Sequence, residues 1–290
     1  MLEFISYAFN KLVEVTGLGD FSLEDIYLFI GAVQIVLLVE LITVKWEKSA
    51  LRKIIRFDKS TRTDLIFWLT EVFNVFNLIA FILTLGVAYY LSGLIQNSLD
   101  LKLGSYVTNP PLQFFIIYVI SDLNAYFSHW LFHVIRPLWK LHEWHHSATD
   151  FTVLTRYRGH FVEMSLKRFI DVIPFVLLGA SIQTYFAFKL FKELHGLLVH
   201  SNIRSSWGFV GKFILVSPAA HRVHHSIKPE HYGKNFGNTL IIWDRIFNTY
   251  CESDDTDVLG VPDNPYNSKG FLADTFIGMG RFFKGIFSSK

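Results

Sequence analysis

One cysteine, Cys251, stands among 290 residues. That excludes an intrachain disulfide framework and any cluster of thiolate metal ligands, so a metal held by this chain is held mainly through nitrogen and oxygen. Charge is also scarce: 18% of residues are Asp, Glu, Lys or Arg, against about 25% in ordinary soluble domains. A net charge of only +2 argues against a nucleic acid partner. No charged n-region and small-residue cleavage site mark residues 1–25, whose Phe4, Ile5, Phe9, Leu12 and Val13 form a weak amphipathic pattern, so a cleaved signal peptide is not expected. Internal repeats, low-complexity segments, a Gly-x-Gly-x-x-Gly fingerprint after a strand and an appended haem module are absent too.

What is abundant is apolar. Hydrophobic residues make up 51%, with 29 Phe, and mean hydropathy is +0.32. The first expectation is therefore an all-α integral membrane protein with about four transmembrane helices. Ile26 to Val44 has the length of a span. The loop after it carries Lys45, Lys48, Arg52, Lys53, Arg56, Lys59 and Arg62, which marks it cytoplasmic. Leu65 to Ile95 reads as one tilted span or a helical hairpin, and Pro110-Pro111 opens a third run, Leu112 to Phe132. Ile170 to Leu198 is expected as a re-entrant hairpin broken near Pro174 or Gly179-Ala180, because a single crossing would separate histidines on its two sides. Residues 1–120 thus form an N-terminal membrane region, 121–250 a histidine-rich catalytic region with a cytoplasmic helical cap, and 251–290 a tail whose Phe271 to Lys290 lies on the membrane surface.

The histidines organise the chain. His129 and His133 are spaced i, i+4; His142, His145 and His146 are spaced i, i+3, i+4, and His221, His224 and His225 repeat that spacing. On a helix each set shares one face. A lone histidine in an apolar helix is usually structural, but burying several neutral imidazoles without partners costs about 1–3 kcal/mol each, and neutral imidazole is the metal-binding form. Haem is one rival, although adjacent His145-His146 and His224-His225 would waste a ligand there. Structural zinc is another; it closes at four ligands, and eight histidines imply two metals. Redox metals suit the set better than zinc alone.

The boxes His129-x-x-x-His133, His142-x-x-His145-His146 and His221-x-x-His224-His225 resemble those of the membrane-bound fatty acid hydroxylase and sterol desaturase superfamily. Asp122 and Tyr126, Pro137-Leu138-Trp139, Arg158-x-His160-x-x-Glu163 and Asn235-Phe236-Gly237-Asn238 leading to Trp243-Asp244-Arg245-Ile246-Phe247 extend the resemblance over about 121–250. It implies two iron ions held by His129, His133, His142, His145, His146, His200, His221, His224 and His225, with His200 matching an additional family ligand. It further implies dioxygen, a lipid substrate of sterol, fatty acyl or alkylglycerol type, hydroxylation or desaturation, and a separate ferredoxin, cytochrome or reductase as electron donor. The location implied is the bacterial inner membrane or endoplasmic reticulum, with the site on the cytoplasmic side.

Around the ligands, Asp122 with Tyr126 is expected to fix an imidazole tautomer, and Asn238 and Asp244 to do likewise, hold a water or brace the closing loop. His160 either binds metal or, as favoured, positions a ligand through Glu163. His195, about 140° round the helix from His200, is expected in a supporting role, and His231 on the surface. A non-enzymatic membrane metal-binding or transport protein is the alternative. It needs ionisable residues along a path through several spans, whereas Glu40, Glu71 and Asp122 are scattered.

Overall fold

The computed structural model describes residues 23–73, 75, 106–180, 182–253, 256, 258–266 and 269–287. Among these residues the chain is helical, relieved only by isolated antiparallel bridges at Leu215–Leu240 and Ser226–Leu259. Helix α1 (Leu23–Thr43) is followed by α2 (Ala50–Arg56), which Ser49 caps by accepting from the Arg52 amide, and by α3 (Lys59–Val72), capped likewise by Asp58 through Thr61. Helix α4 (Pro110–Val134) starts where Asn109 accepts from the Leu112 amide and prolines fill the first turn, positions whose amides lack helical partners anyway. Helix α5 (Arg136–His146) continues after a break at Ile135.

A 3-10 turn over Val153–Tyr157 leads into α6 (Phe161–Leu177) and α7 (Ile182–Val199). The chain reverses at Gly179, whose φ of 62° suits glycine, and Pro174 lies inside α6. Short helices α8 (Gly208–Phe213), α9 (Pro218–His224) and α10 (Ile242–Ile246) follow, then α11 (Phe271–Phe287).

No helix among the described residues is long and apolar enough to cross a membrane. This overturns the expected four-span integral membrane architecture. Polar and ionisable residues interrupt the apolar runs, most densely in α4, α6 and α7. Helix α1 contains Glu40, fully buried, which accepts from the Asn202 amide (3.1 Å) and the Ala50 amide. Helix α4 carries Ser121, Asp122 and Asn124, and α6 and α7 together carry Glu163, Lys167, Arg168, Asp171, Lys189, Lys192 and Glu193. Most of the expected second run, 74 and 76–95, lies outside the described residues. The tail helix α11 packs on α5: Arg281 makes two-pronged contacts of 2.8–3.1 Å with Glu143, and Gly278 lies so close to His160 that a Cβ would sit 2.9 Å from its ring.

The main apolar core joins the N-terminal helices to the histidine helices. Val33 and Val36 of α1, Ala50, Phe67 of α3, Trp144 of α5, Leu154, Leu197 of α7 and Tyr266 pack together. Trp144 projects roughly opposite the histidines of α5, meeting Phe67 edge-on at 4.9 Å and stacking on Tyr266 at 5.5 Å. One polar junction sits inside this core. Arg158, 1% exposed, donates from Nε to Asp64 Oδ1 (2.5 Å) and from Nη2 to the Ser60 carbonyl (2.6 Å), while Thr155 donates to Asp64 Oδ2 (2.8 Å). Burial pushes the Asp64 carboxyl up, and Arg158 and Thr155 oppose that shift. Replacing one partner of such a pair leaves a buried charge uncompensated. Asp64→Ala is therefore expected to lower unfolding stability in urea by about 3–5 kcal/mol, and the double change Asp64→Leu with Arg158→Met by much less. Equal losses would refute the pairing.

Candidate metal centre

Helix α9 is only seven residues long, yet well fixed: Pro218 occupies its first turn, Ser217 accepts from the Ala220 amide, and Ala220 accepts from Asn235 Nδ2 (2.9 Å). It aims His221, His224 and His225 at α4 and α5. All nine histidines come together in two groups. His129, His133, His142, His146 and His224 form one; His145, His200, His221 and His225 form the other, and within each group ligand atoms lie within 4.8 Å of one another. The groups touch, since His146 and His225 stack with centroids 4.2 Å apart. Such closeness leaves no porphyrin-sized gap, which removes the haem rival.

Tautomers follow from the hydrogen bonds. Carbonyl oxygens only accept, so an imidazole nitrogen facing one carries the proton. His129 Nδ1 donates to Phe236 O (2.8 Å), His224 Nδ1 to Lys234 O (2.8 Å), His145 Nδ1 to Arg158 O (2.8 Å) and His200 Nδ1 to Gly196 O (2.7 Å). His142 Nδ1 faces Glu163 Oε1 at 2.5 Å, and Lys167 sits 2.8 Å from the same oxygen. In these five rings Nε2 is left with its lone pair.

These lone pairs face one another. His129 Nε2 and His142 Nε2 are 3.2 Å apart, and His145 Nε2 and His200 Nε2 are 3.4 Å apart, with no proton available between them. His200 Nε2 also meets His221 Nε2 at 3.0 Å. Further, His133 Nε2, His146 Nε2, His224 Nε2 and both His225 nitrogens are buried without a hydrogen-bond partner. Burial first, then neighbouring imidazoles or Lys167, holds His129, His133, His142 and His146 well below the usual histidine range. His145, His200, His221 and His225 are likewise lowered, chiefly by burial, and His224 falls to about 4. Protonation therefore does not relieve the facing lone pairs. Neutral nitrogens converging in a buried space fit a cation in each group.

The surrounding residues divide differently from expectation. Glu163 contacts a clustered imidazole directly, without His160. His160 itself lies in neither group: its Nε2 donates to Thr275 O (3.2 Å) and its Nδ1 accepts from the Val162 amide. Asp122 fixes no imidazole; its Oδ2 accepts from the Leu240 amide (3.0 Å) and Trp243 Nε1 (2.9 Å). Tyr126 meets Thr249 at 2.9 Å, and Asn238 donates to Ala125 O (3.0 Å).

Asp244 accepts from the Phe236 and Gly237 amides (2.7 and 2.8 Å) and from Thr249, while burial pushes its carboxyl up to about 6. Asp122 and Asp244 thus brace the loop whose Phe236 carbonyl holds His129. His195 Nε2 donates to Val216 O (2.9 Å) and takes no place in either group. His231 is buried at 4% exposure, against the surface position expected for it.

Several contributors carried no sequence signal. Phe151 meets His200 with a tilted ring and His225 edge-on, and Asn202, next but one to His200, donates to the Phe151 carbonyl (2.7 Å) and accepts from Lys53 (3.0 Å). A cavity of about 220 Å³ reaches His129 and His142 of one group and His145, His200 and His221 of the other.

Residues 114–249 match the family model described as fatty acid hydroxylase. An ornithine lipid hydroxylase of Rhizobium tropici is 31% identical over 155 residues, 53% of this chain and 46% of that protein. Alkylglycerol monooxygenases of Xenopus tropicalis and Homo sapiens are each 27% identical, over 54% of this chain and 34% and 35% of theirs. The matches thus span less than half the length of these curated relatives. No solved structure matches. The matched segment contains all nine clustered histidines, and over it the chain is similar to the fatty acid hydroxylase superfamily.

Proposed function

We propose that this chain is a non-haem di-iron oxygenase that uses dioxygen and externally supplied electrons to hydroxylate or desaturate a lipid. The observation that carries the reading is the pair of histidine groups with facing, unprotonated Nε2 atoms at the end of one cavity. Iron held there would supply the reduction of dioxygen and the oxidation of a substrate C–H bond. Hydroxylation consumes one dioxygen, two electrons and two protons and yields one water; desaturation consumes the same and yields two waters.

The chain's own part is to hold protons and orientations. Main-chain carbonyls keep the protons of His129, His145, His200 and His224 on Nδ1, so Nε2 is directed inward without rearrangement. Glu163 does this for His142 with a negative charge, which raises the basicity of the ring, and Lys167 balances that charge. The hydroxylase and monooxygenase names of the relatives favour an oxygenase over metal storage or transport. The names of the relatives, lipid hydroxylase and alkylglycerol monooxygenase, support a lipid as substrate.

A separate electron donor is part of this reading, since the chain has no dinucleotide-binding fingerprint of its own. Helix α11 supports contact with a lipid surface. Leu272, Phe276, Phe283 and Phe287 recur on one exposed face, beside Lys284.

Three measurements test the proposal. Iron analysis of the purified chain is expected to find two equivalents, with His145→Ala or His224→Ala removing iron and turnover, and Glu163→Gln weakening iron affinity about 10–100-fold; unchanged iron content in the histidine variants would refute the assignment. Lipid mass spectrometry of cells with and without the gene is expected to show one lipid class gaining one oxygen or losing two hydrogens. Turnover of the isolated chain with a nicotinamide cofactor alone would contradict the external donor.

A further inference from the structure

The first histidine group comes to the surface at one window. Of the nine clustered histidines eight are buried, and the exception is His133. Aromatic side chains pack on the clustered rings from several directions. Phe132, Phe151 and Phe236 do so at 1% exposure or less, whereas Trp139 is only half-buried. Its ring centroid lies 5.0 Å from that of His133, 5.3 Å from His146 and 6.2 Å from His142. Trp139, His133 and His146 are not part of the cavity wall, so this window is separate from the cavity.

Helix geometry sets what surrounds the indole. At about 100° per residue of α5, His146 lies about 20° to one side of Trp139, while Arg136 and Lys140 lie about 60° and 100° to the other. Helix α11 flanks the same side through Arg281, which pairs with Glu143, and Lys284 follows one turn on, exposed. Glu143 is itself buried and held by both Arg281 and Lys140. At the break before α5, Val134 and Ile135 are 51% and 41% exposed. The window is therefore a small apolar spot, centred on an indole in contact with three clustered imidazoles, beside an excess of positive charge.

We infer that a small, acidic, one-electron redox protein docks at this window, and that Trp139 conducts electrons from it to the first histidine group; this rests on the oxygenase reading above. Electron transfer weakens exponentially with distance, so a donor too large to enter the fold needs a short path of ring contacts from the surface. Trp139 supplies that path in one residue, and its extended π system is among the most readily oxidised of side chains. Weak electron-transfer encounters bury less than about 1,200 Å², so a small apolar spot suffices. Opposite charge on the partner then supplies encounter rate and orientation. Each encounter moves one electron: the donor is oxidised by one unit, the centre is reduced by one, and no bond forms or breaks. Two encounters supply the two electrons that one turnover consumes. A lipid surface would also meet the apolar spot and the positive charge, but it would make no use of an indole set against the clustered rings.

The test uses the full iron-loaded chain and a small acidic [2Fe–2S] ferredoxin as the probe. Calorimetric titration is expected to show binding that weakens with salt and falls about tenfold or more when Arg136→Glu and Lys284→Glu are combined. Arg56→Glu combined with Lys59→Glu, an equal change of charge at exposed positions of α2 and α3, should leave it nearly unchanged. Rapid mixing of the oxidised chain with pre-reduced ferredoxin, without dioxygen, then gives the reduction rate at saturating ferredoxin. Trp139→Phe should lower that rate severalfold and Trp139→Leu further, at unchanged iron content. A side chain that merely packed on the histidines would alter iron content, or leave the saturating rate as it was.

Ferredoxin that does not bind, equal weakening by the two charge-reversed pairs, or a Trp139→Leu chain reduced as fast as the parent would overturn the inference. So would phosphatidylglycerol vesicles whose binding is lost in the Arg136→Glu, Lys284→Glu chain while ferredoxin binding survives, since the window would then belong to lipid. Iron analysis of the same samples separates the two readings. Two irons with reduction indifferent to Trp139 sinks this inference alone; a chain without iron that still binds ferredoxin at the window sinks the oxygenase reading alone.

Discussion

The repulsion between unprotonated imidazole nitrogens is the constraint on which the rest of the structure depends. His129 and His142 bring Nε2 lone pairs to 3.2 Å, and His145 and His200 bring theirs to 3.4 Å, in a space where burial keeps the rings neutral. A protein can hold such a contact only if each ring is fixed from behind and a cation is accepted in front. Both halves of that requirement are visible. Behind the rings stand four carbonyls and Glu163; in front, the lone pairs converge.

Fixing the rings from behind draws on nearly every described element. Arg158 holds His145 with its carbonyl, and its own guanidinium is anchored by Asp64 and Ser60 of α3. The segment after His200 is tied through Asn202 to Glu40 of α1 and Lys53 of α2. Phe236, which holds His129, is tied by Asp244. The N-terminal helices lie outside the segment that matches the family model, yet they fix the second histidine group. This explains why ionisable residues interrupt runs whose composition otherwise suits a membrane span. Glu40 and Asp64 are buried carboxyls with partners, Asn202 and Arg158, in the histidine-rich segment.

How much of this was legible in the sequence depends on the kind of atom involved. Eight of the nine histidines were legible because the i, i+3, i+4 spacing of a helix maps directly onto a shared face, while His200 came only with the family resemblance. The reversal at Gly179 was legible from glycine's tolerance of positive φ. The groups that hold the histidines were mostly not, because a main-chain carbonyl has no residue-type signature. Asp122 shows the limit well. Its seven-residue separation from His129 suggested contact with an imidazole, but along a helix that separation is about 10 Å. The carboxylate instead meets the Leu240 amide and Trp243. His231 misled similarly, since a polar neighbourhood in sequence says nothing of what covers a loop in space.

The same limit applies to the apolar runs. Hydropathy averages over a helix, whereas function here depends on one face of it. Helices α6 and α7 are apolar enough to suggest a membrane hairpin, but their charged residues recur at helical spacing and face a common cavity: Glu163, Lys167, Arg168 and Asp171 on one, Lys189, Lys192 and Glu193 on the other. Were these residues merely keeping the helices soluble, they would point outward and compete for water. Instead they pair across the cavity, Asp171 with Lys192, and pair with neighbours from α3 and the turn before α6. Charge gathered inward beside the histidine groups makes these faces part of the site's wall, which is why an average over the whole helix hides them.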